Sequence, residues 1–152
     1  IKKILQINLP EKARNEITDD LFKKIIHDEK DFAEKLYLSL DQILEMQESG
    51  MFFGSHGYKH EWLSNLTDNE LNNELIESLK FLKKIKQDKK IMCYPYGDYN
   101  EKIIKKIKEK NYKIGLTAES GDAELSIRNA FKLKRYDTND FLQWLIWYKY
   151  KV

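Results

Sequence analysis

The sequence predicts an α/β fold in which helices alternate with parallel strands. Three observations lead to this prediction: helix-start signals recur along the chain, an apolar stripe at helical spacing follows each of them, and each stripe leads into a short apolar run. Such alternation is typical of parallel sheets whose strands are joined by crossover helices. A closed barrel of this type needs about eight strands and about 250 residues. Because the 152 residues offer roughly half of those strands, we expect them to form part of a barrel.

Residues 1–35 are expected to form a helical lead-in that carries no recognisable chemistry. Apolar residues recur there at helical spacing after residues 18–20 (Thr-Asp-Asp), which suit a helix N-terminus. The chain contains no internal repeat and no low-complexity linker. We therefore expect residues 1–152 to form a single domain.

The first cycle of the alternation begins at Ser39, which stands in capping-box spacing with Gln42. An apolar stripe follows, and Gly50 is the predicted helix stop. Residues 51–53 (Met-Phe-Phe) are a short apolar run, which is consistent with a buried strand. The polar cluster over residues 55–60 comes directly after this predicted strand.

Two further cycles follow the same plan. Thr67 and Glu70 form a second capping-box pattern before a leucine stripe, Asn100 caps the third predicted helix, and another helix is expected from about residue 138. The polar loops lie where the predicted strands end, which is where the working residues of parallel α/β folds collect. The strands predicted in these two cycles cover residues 91–93 and 112–116, and a last strand is predicted at residues 131–135.

Composition excludes several classes of partner. Lys and Arg number 27 against 25 Asp and Glu, and the lysines are interleaved with acids, so a helical nucleic-acid-binding protein is disfavoured and no nucleic-acid partner is expected. No apolar run approaches the roughly 20 residues that span a bilayer, so no membrane segment is predicted. The single cysteine, Cys93, excludes an intramolecular disulfide. Cytoplasm and cell envelope both stay open as locations.

Two histidines, His56 and His60, are four residues apart just after the first predicted strand. If the chain turns into a helix there, both rings lie on one face and can reach one metal ion, for which neutral imidazole suits Zn²⁺. In the alternative, His60 caps the next helix and His56 packs in a turn, which is the better interpretation of an isolated pair. The third histidine, His27, lies in a charged segment and is expected to be solvated.

Residues 94–100 (Tyr-Pro-Tyr-Gly-Asp-Tyr-Asn) are predicted to form a turn, because Pro fixes one dihedral angle and Gly permits a positive φ. Their rings can line a pocket, and their backbone N–H groups can stabilise a developing oxyanion. The alternative is an ordinary connection between strand and helix with surface tyrosines.

Taken together, residues 54–63 (Gly-Ser-His-Gly-Tyr-Lys-His-Glu-Trp-Leu) and residues 94–100 resemble the polysaccharide deacetylase pattern, that is, the NodB-homology or carbohydrate esterase family 4. The resemblance extends to residues 40–50 and 133–137 and covers roughly residues 36–140. It implies a distorted (β/α) barrel and hydrolysis of an acetyl group from an N- or O-acetylated carbohydrate. It also favours the metal-ligand interpretation of the histidine pair.

The resemblance assigns roles to individual residues. His56 and His60 match the two histidines that, with one Asp, bind the family's divalent metal, for which we expect Zn²⁺. The backbone N–H of Tyr96 matches the oxyanion donor. Arg135 and Asp137 are candidate substrate-binding residues, with a structural ion pair as the alternative. Two further candidates for substrate contact are Tyr94 and Pro95.

Three departures from the family pattern indicate an incomplete catalytic set. The Thr-Phe-Asp-Asp motif that supplies the base and the metal-binding Asp is absent, and residues 18–20 are a poor substitute for it. Cys93 stands where many members carry an Arg, and no Leu-x-x-x-His segment is found. The chain is therefore expected to be the C-terminal part of a deacetylase, inactive alone and prone to self-association. The alternative is a carbohydrate-binding or relic module of the same fold.

Overall fold

The computed structural model describes residues 4–26 and 28–141. His27 and the apolar run after residue 141 lie outside the described residues. The chain divides into two compact units, Ile1–Ile43 and Leu44–Val152. The single-domain prediction stays a prediction. Helices and strands run in the order α1 (Glu11–Ile25), α2 (Glu29–Leu36), α3 (Leu40–Glu48), α4 (Asp68–Lys84), β1 (Ile91–Cys93), α5 (Glu101–Glu109) and β2 (Ile114–Leu116).

The first helix begins earlier than the sequence predicts. Helix α1 starts directly after Pro10, whose fixed φ and missing N–H are compatible with a helix start. The predicted N-terminus at residues 18–20 is wrong, because these residues lie within α1. The Thr18 hydroxyl donates to the carbonyl of Arg14 at 2.9 Å and therefore caps nothing.

The capping predictions for α3, α4 and α5 are confirmed. Ser39 and Gln42 exchange hydrogen bonds of 2.8 and 3.2 Å between side chain and backbone N–H. Thr67 and Glu70 form the same reciprocal box at the start of α4. The Asn100 side chain accepts from the third residue of α5 at 3.0 Å. Each of these helices therefore begins at the residue that local chemistry specifies.

Strands β1 and β2 pair in parallel, with Ile91 opposite Ile114 and Cys93 opposite Leu116. Helix α5 joins them, so the predicted crossover is confirmed. Single parallel bridges extend this pairing on both sides, from Ser55 to β1 and from Leu133 to β2. Four parallel segments thus lie side by side in chain order, and the loops that follow them emerge at one edge.

The structure corrects the predicted strand at residues 51–53. Met51 and Phe52 are exposed, at 58% and 46%. In this segment, the residue that pairs with β1 is Ser55, which follows the predicted strand. The Phe53 N–H donates to the side chain of Gln87 instead of to a strand. A short apolar run does not by itself distinguish a strand from an irregular segment. Similarly, only Leu133 of the strand predicted at residues 131–135 makes a bridge.

The core lies among α4, α5 and the two strands. Leucines on one face of α4 and isoleucines on one face of α5 pack against the sheet, which explains why the two apolar stripes predict helices correctly. No helix in the described part of the chain is both long and apolar enough to cross a membrane. The main core cluster consists of Leu63, Leu66, Leu71, Leu75, Met92, Tyr94, Ile103, Ile107 and Tyr112.

Candidate active site

His56 lies at the edge of the sheet where the parallel segments end. Its Nδ1 is 2.7 Å from the backbone carbonyl oxygen of Cys93, the last residue of β1. A carbonyl oxygen can only accept, so Nδ1 carries the proton and the neutral ring presents a lone pair on Nε2. A hydrogen bond with the Cys93 side chain raises the pKa of His56, against burial, which acts to lower it, and the bond to the Cys93 backbone adds a smaller increase. Metal-binding histidines are commonly oriented in this way.

The rings of His56 and His60 meet, but not through the helix that the sequence suggested. Their centroids are 4.7 Å apart at an interplanar angle of 69°, and both side chains are exposed. The segment between them is a loop with left-handed backbone at Gly57 and His60, whose φ values are +74° and +60°. The alternative role of His60 as a helix cap is not observed, because Trp62 takes the cap position of the following turn.

A buried carboxylate, which the sequence analysis missed, lies beneath this loop. Glu74 of α4 is only 5% exposed. Its Oε2 accepts hydrogen bonds from the backbone N–H of Tyr58 at 2.7 Å and of Lys59 at 3.0 Å. The signal was present in the sequence: Glu74 occupies the apolar stripe between Leu71 and Leu75, where a carboxylate needs a partner.

Aromatic rings connect the histidine loop to the turn after β1. Tyr96 stacks on Trp62 at 4.5 Å and contacts the ring of His60 edge-on at 4.6 Å. Tyr96 also has a left-handed backbone, with φ of +58°. The Asp98 carboxylate accepts from the Ser64 N–H at 2.6 Å and ties the two loops together. The predicted turn therefore exists, and its Tyr96 lies beside the histidine pair.

Tyr94 and Pro95, at the start of this turn, are both buried. Tyr94 is 1% exposed, and its hydroxyl donates to the Phe131 carbonyl at 2.9 Å. Burial raises the pKa of this tyrosine above its ordinary value. Both side chains support the turn that carries Tyr96, and their contact with a substrate remains a prediction.

Arg135 reaches the same edge from the segment after Leu133. Its Nε donates to the Thr117 carbonyl at 2.8 Å. Burial acts to raise the pKa of the Cys93 thiol, but the hydrogen bond with His56 and the positive charge of Arg135 outweigh it, and that pKa is lowered. The positively charged guanidinium group of Arg135 therefore lies close to Cys93.

Asp137 lies two residues after Arg135 and directly before the helical residues 138–141. Its carboxylate accepts from the backbone and side-chain N–H groups of Asn139 at 2.8 and 2.7 Å. These hydrogen bonds lower the pKa of Asp137. A cavity of about 150 Å³ is lined by Ala118, Arg135, Tyr136 and Asp137.

The side chains at this edge could provide some, but not all, of the ligands that a metal ion needs. His56 and His60 offer two exposed, converging imidazoles, one of them with a fixed tautomer. A catalytic zinc site normally has three protein ligands. Residues 4–26 and 28–141 contain no cluster of three or more His, Cys, Asp or Glu side chains placed to hold a metal ion. The described residues therefore offer two candidate ligands, one fewer than such a site normally has.

Comparison with known proteins identifies the family. The model of the polysaccharide deacetylase family matches residues 17–115, which is more than half of the chain. The chain belongs to the polysaccharide deacetylase family. The predicted resemblance is thereby confirmed, and the match includes the histidine loop and the turn after β1.

Three similar proteins show how much of each relative's length this chain covers. YxkH of Bacillus subtilis (strain 168), whose name assigns it to this family, is 34% identical over 95 residues, which are 62% of this chain and 34% of YxkH. The structure of the Streptococcus pyogenes deacetylase PplD in complex with acetate is similar, with a TM-score of 0.61 and 30% identity over 70% of this chain and 50% of PplD. BA0330 from Bacillus anthracis, also named for this family, gives a TM-score of 0.53 and 32% identity over 64% of this chain and 31% of BA0330. The chain thus spans half or less of each relative.

Proposed function

We propose that the chain carries part of the active site of a metal-dependent deacetylase that hydrolyses an N- or O-acetyl group on a carbohydrate. One observation carries this proposal: the rings of His56 and His60 lie together at the sheet edge, and the Cys93 carbonyl accepts from Nδ1 of His56, which leaves the Nε2 lone pair of the neutral ring for a metal ion. Membership of the polysaccharide deacetylase family supports it. The relative PplD was solved with acetate, which is the product that deacetylation releases.

Each residue has a distinct role in this proposal. A divalent ion such as Zn²⁺, held by His56 and His60, would lower the pKa of a bound water and polarise the acetyl carbonyl. The backbone N–H of Tyr96 donates to the oxygen of that carbonyl as negative charge develops there. Arg135 and Asp137 line the adjacent cavity and contact the sugar. Tyr94 and Pro95, which are also proposed to bind the substrate, are buried and support the turn that carries Tyr96.

The proposal includes an incomplete catalytic set and a partial distorted (β/α) barrel. Two ligands instead of three should leave metal affinity and water activation weak in these 152 residues. The same shortage favours a second candidate, a carbohydrate-binding module of this fold that performs no chemistry. Acetate release distinguishes the two candidates when the complementary part of the protein is supplied.

The test is a calorimetric Zn²⁺ titration of the chain and its histidine variants. We expect weak binding that is lost in His56→Ala and in His60→Ala, because each removes one of two ligands. The matched control is His27→Ala, which changes a histidine predicted to be solvated and should leave binding unchanged. Incubation of the chain with acetylated sugars should release no acetate.

Two results would contradict this account. Equal zinc binding in all four proteins would remove His56 and His60 from the metal site. Acetate release by the unmodified chain, abolished by a chelator, would mean that a carboxylate within the sequence completes the catalytic set.

A further inference from the structure

We propose that Glu74 is a positioning residue for the metal-binding histidines: its buried carboxylate holds the loop between them in the conformation that brings the two rings together. This inference rests on the proposed function, because it assigns the purpose of the loop to metal binding. Glu74 touches neither metal nor substrate in this proposal. It acts through the backbone of the residues that separate His56 from His60.

Glu74 binds two of the three residues between the histidines and lies close to the third. The N–H groups of Tyr58 and Lys59 both donate to Oε2. A side chain on the third residue, Gly57, would begin 3.3 Å from the same oxygen. One carboxylate oxygen is therefore in contact with, or within reach of, every residue between His56 and His60.

Packing alone does not explain a carboxylate at this position. Glu74 lies on the buried face of α4 with Leu71 and Leu75, where a leucine would continue the apolar stripe. A buried carboxylate is unfavourable unless hydrogen bonds compensate for its desolvation. Here the compensation comes from two charge-assisted bonds to the histidine loop, which are stronger than neutral ones. The stability of Glu74 in the core is thus coupled to the conformation of that loop.

The loop needs such support because its backbone is strained. His60, a residue with a side chain, adopts φ of +60°, a left-handed conformation that is unfavourable for residues other than Gly. Gly57 is also left-handed, and a side chain there would begin 3.3 Å from Pro95 as well as from Glu74. Helix α4 is a rigid base for this support, since it has 17 residues and a complete capping box. Glu74 and Pro95 therefore confine the loop between them.

The experiment compares Glu74→Leu with Glu74→Gln and a matched control. Leucine keeps most of the side-chain volume but accepts no hydrogen bond, whereas the glutamine carbonyl can still accept from Tyr58 and Lys59. The control is Ser78→Ala, one turn further along the buried face of α4, where the hydroxyl bonds to Leu75 and Tyr112 and not to the loop. All variants are studied below their melting temperatures, so that every sample is folded.

We expect Glu74→Leu to weaken Zn²⁺ binding about tenfold, in line with losses seen when residues that orient metal ligands are changed. Glu74→Gln should restore most of the affinity. The amides of Tyr58 and Lys59 should exchange hydrogen faster in Glu74→Leu, and the imidazole NMR signals of His56 and His60 should shift in the absence of metal. Ser78→Ala should lower the melting temperature without changing zinc affinity.

Two outcomes would overturn the role of Glu74. In the first, Glu74→Leu leaves the amide exchange of the loop and the imidazole signals the same as in the unmodified chain. In the second, Ser78→Ala loses as much zinc affinity as Glu74→Leu. If the unmodified chain does not bind Zn²⁺, the proposed function fails. The metal-free exchange and NMR measurements then still decide whether Glu74 positions the histidines.

Discussion

Among single residues, Tyr99 and Glu119 form a hydrogen bond whose strength depends on pH. The Tyr99 hydroxyl donates to Glu119 Oε1 at 2.6 Å. This bond lowers the pKa of Glu119 and, with burial, raises the pKa of Tyr99 to about 12. A carboxyl whose pKa is lower in the folded than in the unfolded chain stabilises the fold above its unfolded pKa, here 4.5, and loses that contribution as the pH falls.

We predict that Tyr99→Phe destabilises the protein more at pH 7 than at pH 3. At pH 7 the substitution removes a charge-assisted bond, whereas protonation of Glu119 as the pH falls through its lowered pKa weakens that bond in the unmodified protein, so the substitution costs less in acid. Urea unfolding at the two pH values measures the difference. Tyr37→Phe, at an exposed tyrosine, is the control. A destabilisation by Tyr99→Phe that is the same at both pH values would contradict the prediction.

Residues whose role depends on their side chains were easier to predict than residues whose role depends on the backbone. The caps at Ser39, Thr67 and Asn100 follow from local chemistry that the sequence contains in full. The carbonyl of Cys93 that orients His56 has no counterpart in the sequence, because every residue has a carbonyl. Glu74 did leave a signal, a carboxylate within an apolar stripe, but its partners are backbone amides of another segment.

Strand β2 depends on the absence of a side chain at Gly115. A Cβ there would collide with the Tyr94 hydroxyl and would lie 2.7 Å from the Phe131 carbonyl. We predict that Gly115→Ala destabilises the protein by about 1–3 kcal/mol through overpacking. Chemical denaturation measures this change in the free energy of unfolding. The double variant with Tyr94→Phe should lose less than the sum of the two single variants, because removing the hydroxyl relieves part of the collision. Strict additivity would show that Tyr94 is not the obstacle.

The elements differ in how far their sequences determine them. Helices α4 and α5 have both a cap and an apolar stripe, and they form where the sequence predicts. The strands have only three residues each, so pairing with neighbours decides their limits. This explains why residues 91–93 form a strand and residues 51–53 do not, although both runs are apolar. The first has partners on both edges, whereas in the second segment only Ser55 pairs.

At the scale of the whole molecule, the two units differ in how much apolar surface they bury. Helix α2 buries none of its residues, and Ile17, Leu21 and Ile25 on one face of α1 are exposed. The core cluster lies within the second unit. We predict that backbone amides of α1 and α2 exchange hydrogen before those of α4 and α5. Hydrogen exchange followed by mass spectrometry measures this order, and equal protection in all four helices would contradict it.

At this scale, the partial barrel and the incomplete catalytic set both stay predictions. The parallel pairing of β1 and β2 was predictable from the helix that links them, but closure of a barrel requires further strands. The chain covers 50% of PplD and less of the other two relatives. Self-association through exposed apolar side chains also stays a prediction. Sedimentation at several protein concentrations can test it.

The hydrogen bond between His56 and Cys93 also has a consequence for the time at which the site forms. The two residues are 37 positions apart in the sequence. Ribosomes add about 5–20 residues per second, so roughly 2–7 seconds separate the synthesis of His56 from that of its partner carbonyl. Glu74 is also made after both histidines. A metal ion that arrives during this interval meets two histidines whose rings have not yet been oriented.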